Sequence, residues 1–216
     1  MRFDLALEDI DKAFAKLDMM DKAVQKGVVS GLNKLAAQGL TQGVRAITQQ
    51  YNIKTGDAKK GVSVTKASVA AIRLNGSTHA TIHASGRSFP LFKFGARPTA
   101  PISQRGIERH GHAKTAKQAS SMRQYPGRKR TTVKVKRAGA RTRLEHAFVA
   151  RMASGHVGVF ERTTKRTLPI KEMHSIGVSG MFKAASIRTI KQLVRTKGPA
   201  VIRHEIGYQL SRSGNR

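Results

Sequence analysis

The stretch LDMMDKAVQKGVVSGLNKLAAQGLTQGVRAITQQY, residues 17–51, decides the fold. Its apolar residues Leu17, Met20, Val24, Val28, Leu32, Leu35, Leu40, Val44, Ile47 and Tyr51 recur at spacings of three to five. That spacing puts them on one stripe of a long helix. A second row, Gly27, Gly31, Gly39 and Gly43, runs beside the stripe, mostly four residues apart. Each internal glycine costs a helix about 1 kcal/mol relative to alanine, so the row predicts a backbone packed close against it. That backbone belongs either to the same chain or to a neighbouring subunit.

Upstream, Met1–Leu7 alternates Arg2 and Asp4 with Phe3 and Leu5 and reads as a short strand or arm. Downstream, residues 52–61 read as a turn and a short helical segment, and three strand-like stretches follow: residues 62–74, 78–84 and 89–94. Asn75-Gly76 between alternating segments predicts a hairpin. In the second stretch Ala80, Ile82 and Ala84 form the buried face, and His79, Thr81 and His83 the polar one. Periodicity then disappears over residues 98–130, which read as a long, mobile basic loop. Order returns at Thr131–Arg137, and residues 146–152 and 156–162 form two strands around Ala153-Ser154-Gly155. Residues 168–181 are irregular. The C-terminal region carries two apolar stripes separated by Gly198-Pro199, with Pro199 as a first helical residue.

These elements predict an α+β fold, with a long N-terminal helix packed on an antiparallel sheet, C-terminal helices and the basic loop. The length suits a single domain over residues 1–216. Its expected parts are an acidic segment (1–21), the long helix and first strands (22–97), the loop (98–130), further strands (131–182) and the closing helices (183–216).

Charge narrows the function. Lys and Arg number 41 against 12 Asp and Glu, and the excess is uneven. Residues 1–21 hold six acids, among them Asp4, Glu8, Asp9 and Asp11, and three bases, a net of −3. Residues 87–143 hold sixteen bases and the single acid Glu108, a net of +15. Such a field attracts polyanions and repels itself, which points to nucleic acid held through its phosphates. The candidate contacts are Arg87, Lys93, Arg97, Arg105, Arg109, Lys114, Lys117, Arg123, Arg128, Lys129, Arg130, Lys134, Lys136 and Arg137. Phe89, Phe92 and Phe94 among these bases read either as a base-stacking platform or as buried sheet aromatics. Without a helix-turn-helix or zinc-finger pattern, contact is expected to be blind to sequence.

Other chemistry finds no foothold. The absence of cysteine excludes disulfides and Cys-based metal sites. His79 and His83, four apart in a strand, sit roughly 13 Å from each other, too far for one metal. His110 and His112 have only Glu108 nearby. After Asp21 the carboxylates are scattered, so no pair is ready to hold Mg²⁺, and no phosphate-cradling loop motif occurs. No enzyme activity, metal or cofactor is expected. No apolar run spans a membrane and no signal segment is recognisable, which predicts a soluble protein of the cytoplasm or of something assembled there.

An ordered set of short segments carries a family resemblance: Tyr51-Asn52-Ile53, Ser85-Gly86-Arg87, Phe89-Pro90-Leu91, Phe94-Gly95-Ala96-Arg97, Ala147-Phe148, residues 154–160 (SGHVGVF) and Leu168-Pro169-Ile170. Together they resemble the minor tail protein Z family of tailed bacteriophages and prophages. The resemblance implies a structural tail-completion protein of the virion, assembled in the host bacterial cytoplasm. It would sit at the head-proximal end of a long tail, beside terminator and connector proteins and the end of the packaged double-stranded DNA. The sequence departs from the family pattern in a longer, more basic 98–130 and in the lack of Gly-Pro within 173–181. A homo-oligomeric ring fits this role, and would use Gly27, Gly31, Gly39 and Gly43 with the acidic residues Asp4, Glu8, Asp9 and Asp11. The alternative is a free-standing, sequence-independent nucleic-acid-binding protein of ribosome- or chromatin-like kind.

Overall fold

The N-terminal helix begins where its cap dictates. Asp21 Oδ1 accepts a hydrogen bond from the Ala23 backbone N–H at 3.0 Å, satisfying one of the donors that a helix start leaves free. Helix α1 then runs Lys22–Gln50. In this computed structural model the described residues are 2–4, 21–75, 77–97, 102–103, 131–163 and 169–214. Leu17 and Met20, assigned above to the same stripe, lie outside them. The described chain has an α+β fold made of two compact units, each assembled from separate stretches of chain.

The first unit comprises Met1–Ile47, Ala58–Arg87 and Val178–Arg216. Its sheet has three strands, β1 (Arg2–Asp4), β2 (Val62–Thr65) and β3 (Thr81–Ala84), in the antiparallel order β1-β3-β2. α1 packs on this sheet: Ala36 gathers with Ala67 and Ala80 in one cluster, flanked by Val29, Leu32 and Val64. Ile82, Ala80 and Ala84 are buried as expected, and Thr81 is buried with them.

The helical tail of the chain differs from expectation. A short helix α4 (Val178–Ala185) is followed, after the buried Ser186, by a single helix α5 over Ile187–Gly214, with Pro199 inside it. Gly198-Pro199, which reads in sequence as a boundary between two helices, does not break it. Packing overrides that local signal, because α5 lies antiparallel on α1. Ile206 covers Gly27, Ile202 covers Gly31, Leu35 reaches Gly198, and Ile190 covers Gly43. Each step of four along one helix meets a step of four back along the other.

The glycine row therefore faces the chain's own helices and strand. A β-carbon at Gly27 would stand 2.6 Å from Ile206 Cα, and one at Gly31 would stand 3.0 Å from Ile202 Cα. Gly39 meets Ile82 and Gly43 meets Phe182. The close approach that the row predicts is present. Its assignment to a subunit interface is corrected, because all four glycines are buried within the chain.

Two strand expectations here are corrected as well. Residues 62–74 hold β2 and then the helix α3, Val69–Asn75. Ser68 Oγ accepts from the Ala71 N–H at 3.2 Å, a helix cap that the alternating pattern hides. The β2–β3 pair is thus joined through a helix and has no Asn-Gly hairpin.

The second unit comprises Thr48–Asp57 and Ser88–Gly177. It opens with the last turn of α1 and the start of α2 (Thr55–Lys60). Its main sheet has the order β10-β9-β8-β5, with β5 Ile102–Ser103, β8 Ala147–Arg151, β9 Val157–Arg162 and β10 Ile170–Glu172. β8 and β9 form the expected hairpin, turning at Gly155 (φ 82°). β5 pairs parallel to β8, an ordered strand in a stretch that reads as a loop. The pairs β4 (Ser88–Pro90) with β11 (His174–Gly177) and β6 (Thr131–Val133) with β7 (Thr142–Leu144) complete the unit. β10 and β11 are regular where residues 168–181 read as irregular. The predicted strand 89–94 instead becomes β4 and a 3₁₀ turn, Leu91–Phe94, ended by Gly95 at φ 64°.

Candidate nucleic-acid interface

The 3₁₀ turn sets the geometry of the basic surface in the second unit. Phe94 is fully buried, and that anchors the turn. Lys93, one residue earlier, is thereby exposed, and Phe92 is half-buried. The buried-aromatic reading therefore holds for Phe94, which has no face to offer a base. After Gly95, Arg97 exchanges two backbone hydrogen bonds with Thr132, both 2.9 Å. The Lys134 N–H donates to the Phe94 carbonyl, and Lys136 forms a bridge with Tyr51. Backbone pairing thus brings Lys93, Arg97, Lys134, Lys136 and Arg137 to one region of the unit, from the two ends of the long basic stretch.

An open cleft of about 590 Å³ lies there, lined by Asn52, Ile53, Lys54, Thr55, Asp57, Phe92, Lys93, Gly95, Ala96 and Arg137. Lys54, Lys93 and Arg137 are its cations, and Asp57 is its acid. Lys93 Nζ sits 3.1 Å from Asp57 Oδ1, so Lys54 and Arg137 carry the unmatched charge. Arg137 Nε donates to the Tyr51 carbonyl at 3.4 Å, which holds its stem in place while the residue as a whole stays exposed.

Arg141 braces the rim. Its Nη2 donates to the Gly95 carbonyl at 2.6 Å and to the Thr132 carbonyl at 3.0 Å, and its Nε donates to Thr132 Oγ1 at 3.1 Å. Burial, and then the neighbouring charge of Arg97, hold its pKa below the usual arginine range. Two guanidiniums kept close enough to repel form a local excess of positive potential that a phosphate would relieve.

Sequence reasoning finds five of these bases and misses Lys54, Asn52 and Arg141. Lys54 and Asn52 precede the basic stretch, and only the pairing of the Asn52 N–H with the Val135 carbonyl brings them to it. Arg87 belongs to the first unit, where it is exposed. The expected contacts Arg105, Arg109, Lys114, Lys117, Arg123, Arg128, Lys129 and Arg130 lie outside the described residues. So do Glu8, Asp9 and Asp11, while Asp4 ends β1, paired with Thr81.

Three of the described carboxylates are engaged by bases or histidines. Asp57 pairs with Lys93, Glu205 with Lys34, and Glu172 Oε1 lies 2.8 Å from His156 Nε2. Among the described residues no group of three His, Cys, Asp or Glu is arranged to hold a metal ion. His83, one of the close pair in sequence, contacts Thr65 Oγ1 at 2.8 Å. No helix among the described residues is long and apolar enough to cross a membrane.

No curated protein and no solved structure matches the chain significantly. The family model for prophage minor tail protein Z (GPZ) matches residues 7–216.

Proposed function

The chain belongs to the prophage minor tail protein Z family and is thereby a structural protein of a phage tail, and from that premise we propose that it completes the head-proximal end of the tail. There it contacts terminator or connector proteins as a homo-oligomeric ring and meets the end of the packaged DNA. The observation that carries the DNA contact is the cleft of the second unit and its rim, where Lys54, Arg97, Lys136 and Arg137 have no carboxylate partner among the described residues. Contact of this kind is made to phosphates and is independent of sequence. The acidic N-terminal segment is the natural element for docking on a basic neighbour. No catalytic step belongs to this reading.

Two measurements test this reading. Gold-labelled protein in assembled virions is expected at the junction of head and tail; label along the tail shaft or at its tip would overturn the position. Replacing Lys54, Arg97 and Lys136 by Gln is expected to reduce the slope of log K against log salt for duplex DNA, by roughly 0.9 for each phosphate released. An unchanged slope would remove DNA from this cleft.

A further inference from the structure

Helix α5 carries six bases, Arg188, Lys191, Arg195, Lys197, Arg203 and Arg212, and one acid, Glu205. That acid is not available to balance them. Glu205 is buried, accepts from Ser30 Oγ at 2.7 Å and pairs with Lys34 on α1. Ile190, Val194, Gly198, Ile202 and Ile206 form the underside that α1 covers, and the backbone approach at Gly27 and Gly31 fixes which way the helix faces. Every base from Arg188 to Arg203 is exposed, and among the described residues none of them pairs with a carboxylate.

The side chains between these bases identify the partner. From 188 to 204 the other exposed residues are Thr189, Gln192, Thr196, Pro199, Ala200 and His204, with no large apolar side chain. The exposed Tyr208 and Leu210 come only beyond that run. Protein interfaces centre on apolar and aromatic residues and are poor in lysine; this face has the opposite composition. At 1.5 Å per residue the run is about 22 Å long, and a duplex presents about one phosphate charge per 1.7 Å of its axis.

We propose that the exposed face of α5 is a second surface for the phosphate backbone of DNA, carried by a different unit from the cleft. It stands on its own residues and does not require the cleft to bind. The full chain is titrated with a 30-base-pair duplex of arbitrary sequence over a range of salt. Replacing Arg188, Lys191 and Arg195 by Gln should weaken binding and reduce the salt slope by roughly 2.7, at about 0.9 per phosphate. The charge-conserving set R188K, K191R and R195K should leave the slope unchanged, which separates removal of charge from damage to the fold. Gln at the exposed Lys59, Lys60 and Lys66 removes the same charge elsewhere on this unit and should change the slope little.

A slope unaltered by the α5 Gln set would overturn the proposal and assign the face to an acidic protein. So would an equal effect from the Lys59, Lys60 and Lys66 set, since net charge alone would then explain binding. If only the Lys54, Arg97 and Lys136 set lowers the slope, the cleft stands and α5 falls. If only the α5 set does, the reverse holds. A wild-type chain that does not bind duplex defeats both.

Discussion

Adding one methyl group at Gly27 is the most direct test of the helix pairing on which the first unit is built. The new β-carbon would lie 2.6 Å from Ile206 Cα and 2.9 Å from Ile206 N. Carbon pairs rest at about 3.5–4.0 Å, so the approach is too short by about 1 Å. Both obstructing atoms are backbone, and no rotamer change can relieve them; α5 must move away from α1. Overpacking costs about 1–3 kcal/mol, and an unyielding backbone obstacle places this site at the upper end. Replacing a helical glycine returns about 1 kcal/mol, which leaves Gly27→Ala destabilised by about 2 kcal/mol. For a chain of this length that lowers the melting midpoint by about 4–8 °C.

The partner helix supplies the control. Nothing lies within 4 Å of a β-carbon at Gly207, and at Gly198 the nearest atoms are side-chain carbons at 3.7 and 3.8 Å. Gly207→Ala and Gly198→Ala should therefore gain about 1 kcal/mol each from helix propensity and raise the midpoint by about 2–4 °C. Thermal unfolding followed by far-ultraviolet circular dichroism measures all three. A midpoint raised by Gly27→Ala as much as by Gly207→Ala would refute the close antiparallel pairing.

Two further outcomes concern charges held by hydrogen bonds. The hydrogen bonds from Lys34 and Ser30 hold the Glu205 carboxyl down to about 2 from its ordinary 4.5. A lowered folded-state pKa means that the unfolded chain binds more protons, so this contribution is complete above about pH 4.5 and is lost as pH falls toward 2. Glu205→Gln should lower stability at neutral pH and flatten its decline between those values in acid titrations monitored by circular dichroism; an equally steep decline would mean that other carboxylates cause it. Arg141→Met gives up three hydrogen bonds from a charged donor and should cost about 2 kcal/mol in denaturant unfolding. Arg141→Lys should recover little of this, because a point ammonium cannot span acceptors on both Gly95 and Thr132.

The sequence is most legible where one periodicity runs undisturbed. The α1 stripe from Val24 onward, the buried face of Ala80, Ile82 and Ala84, and the β8–β9 hairpin at Gly155 appear as read, but Thr81, expected on the polar face, is buried as well. Legibility fails where local signals compete. The alternation of 62–74 conceals the Ser68 cap of α3, and Gly198-Pro199 has every local mark of a helix break. Only the long-range fit of Ile202 and Ile206 onto Gly31 and Gly27 carries α5 through it. The candidate site is half legible. Its bases stand out in a run, but Lys54 and Asn52 join them through a backbone pairing with Val135, which no spacing rule encodes. Arg141 counts among the basic residues of the run, yet its three acceptors, which make it a brace, are visible only in three dimensions.

The same burial sharpens the meaning of the chain's charge. Composition gives twelve acids to set against forty-one bases, which suggests partial neutralisation at the surface. Of the five described carboxylates after Asp21, Asp57, Glu172 and Glu205 are engaged within their own units, and Glu205 is buried. Glu145 and Glu161 remain. These internal pairings occupy Lys34, Lys93 and histidines, and among the described residues no carboxylate pairs with the exposed bases Arg188 to Arg203 of α5 or with Lys54 and Arg137 of the cleft. Like charges crowded on a folded surface raise its free energy. A ring of such subunits would multiply the repulsion unless something anionic lay against them. Under the proposed function packaged DNA would be that anion for the basic surface of each unit, so the cleft and the α5 face are best tested in parallel on the same duplex.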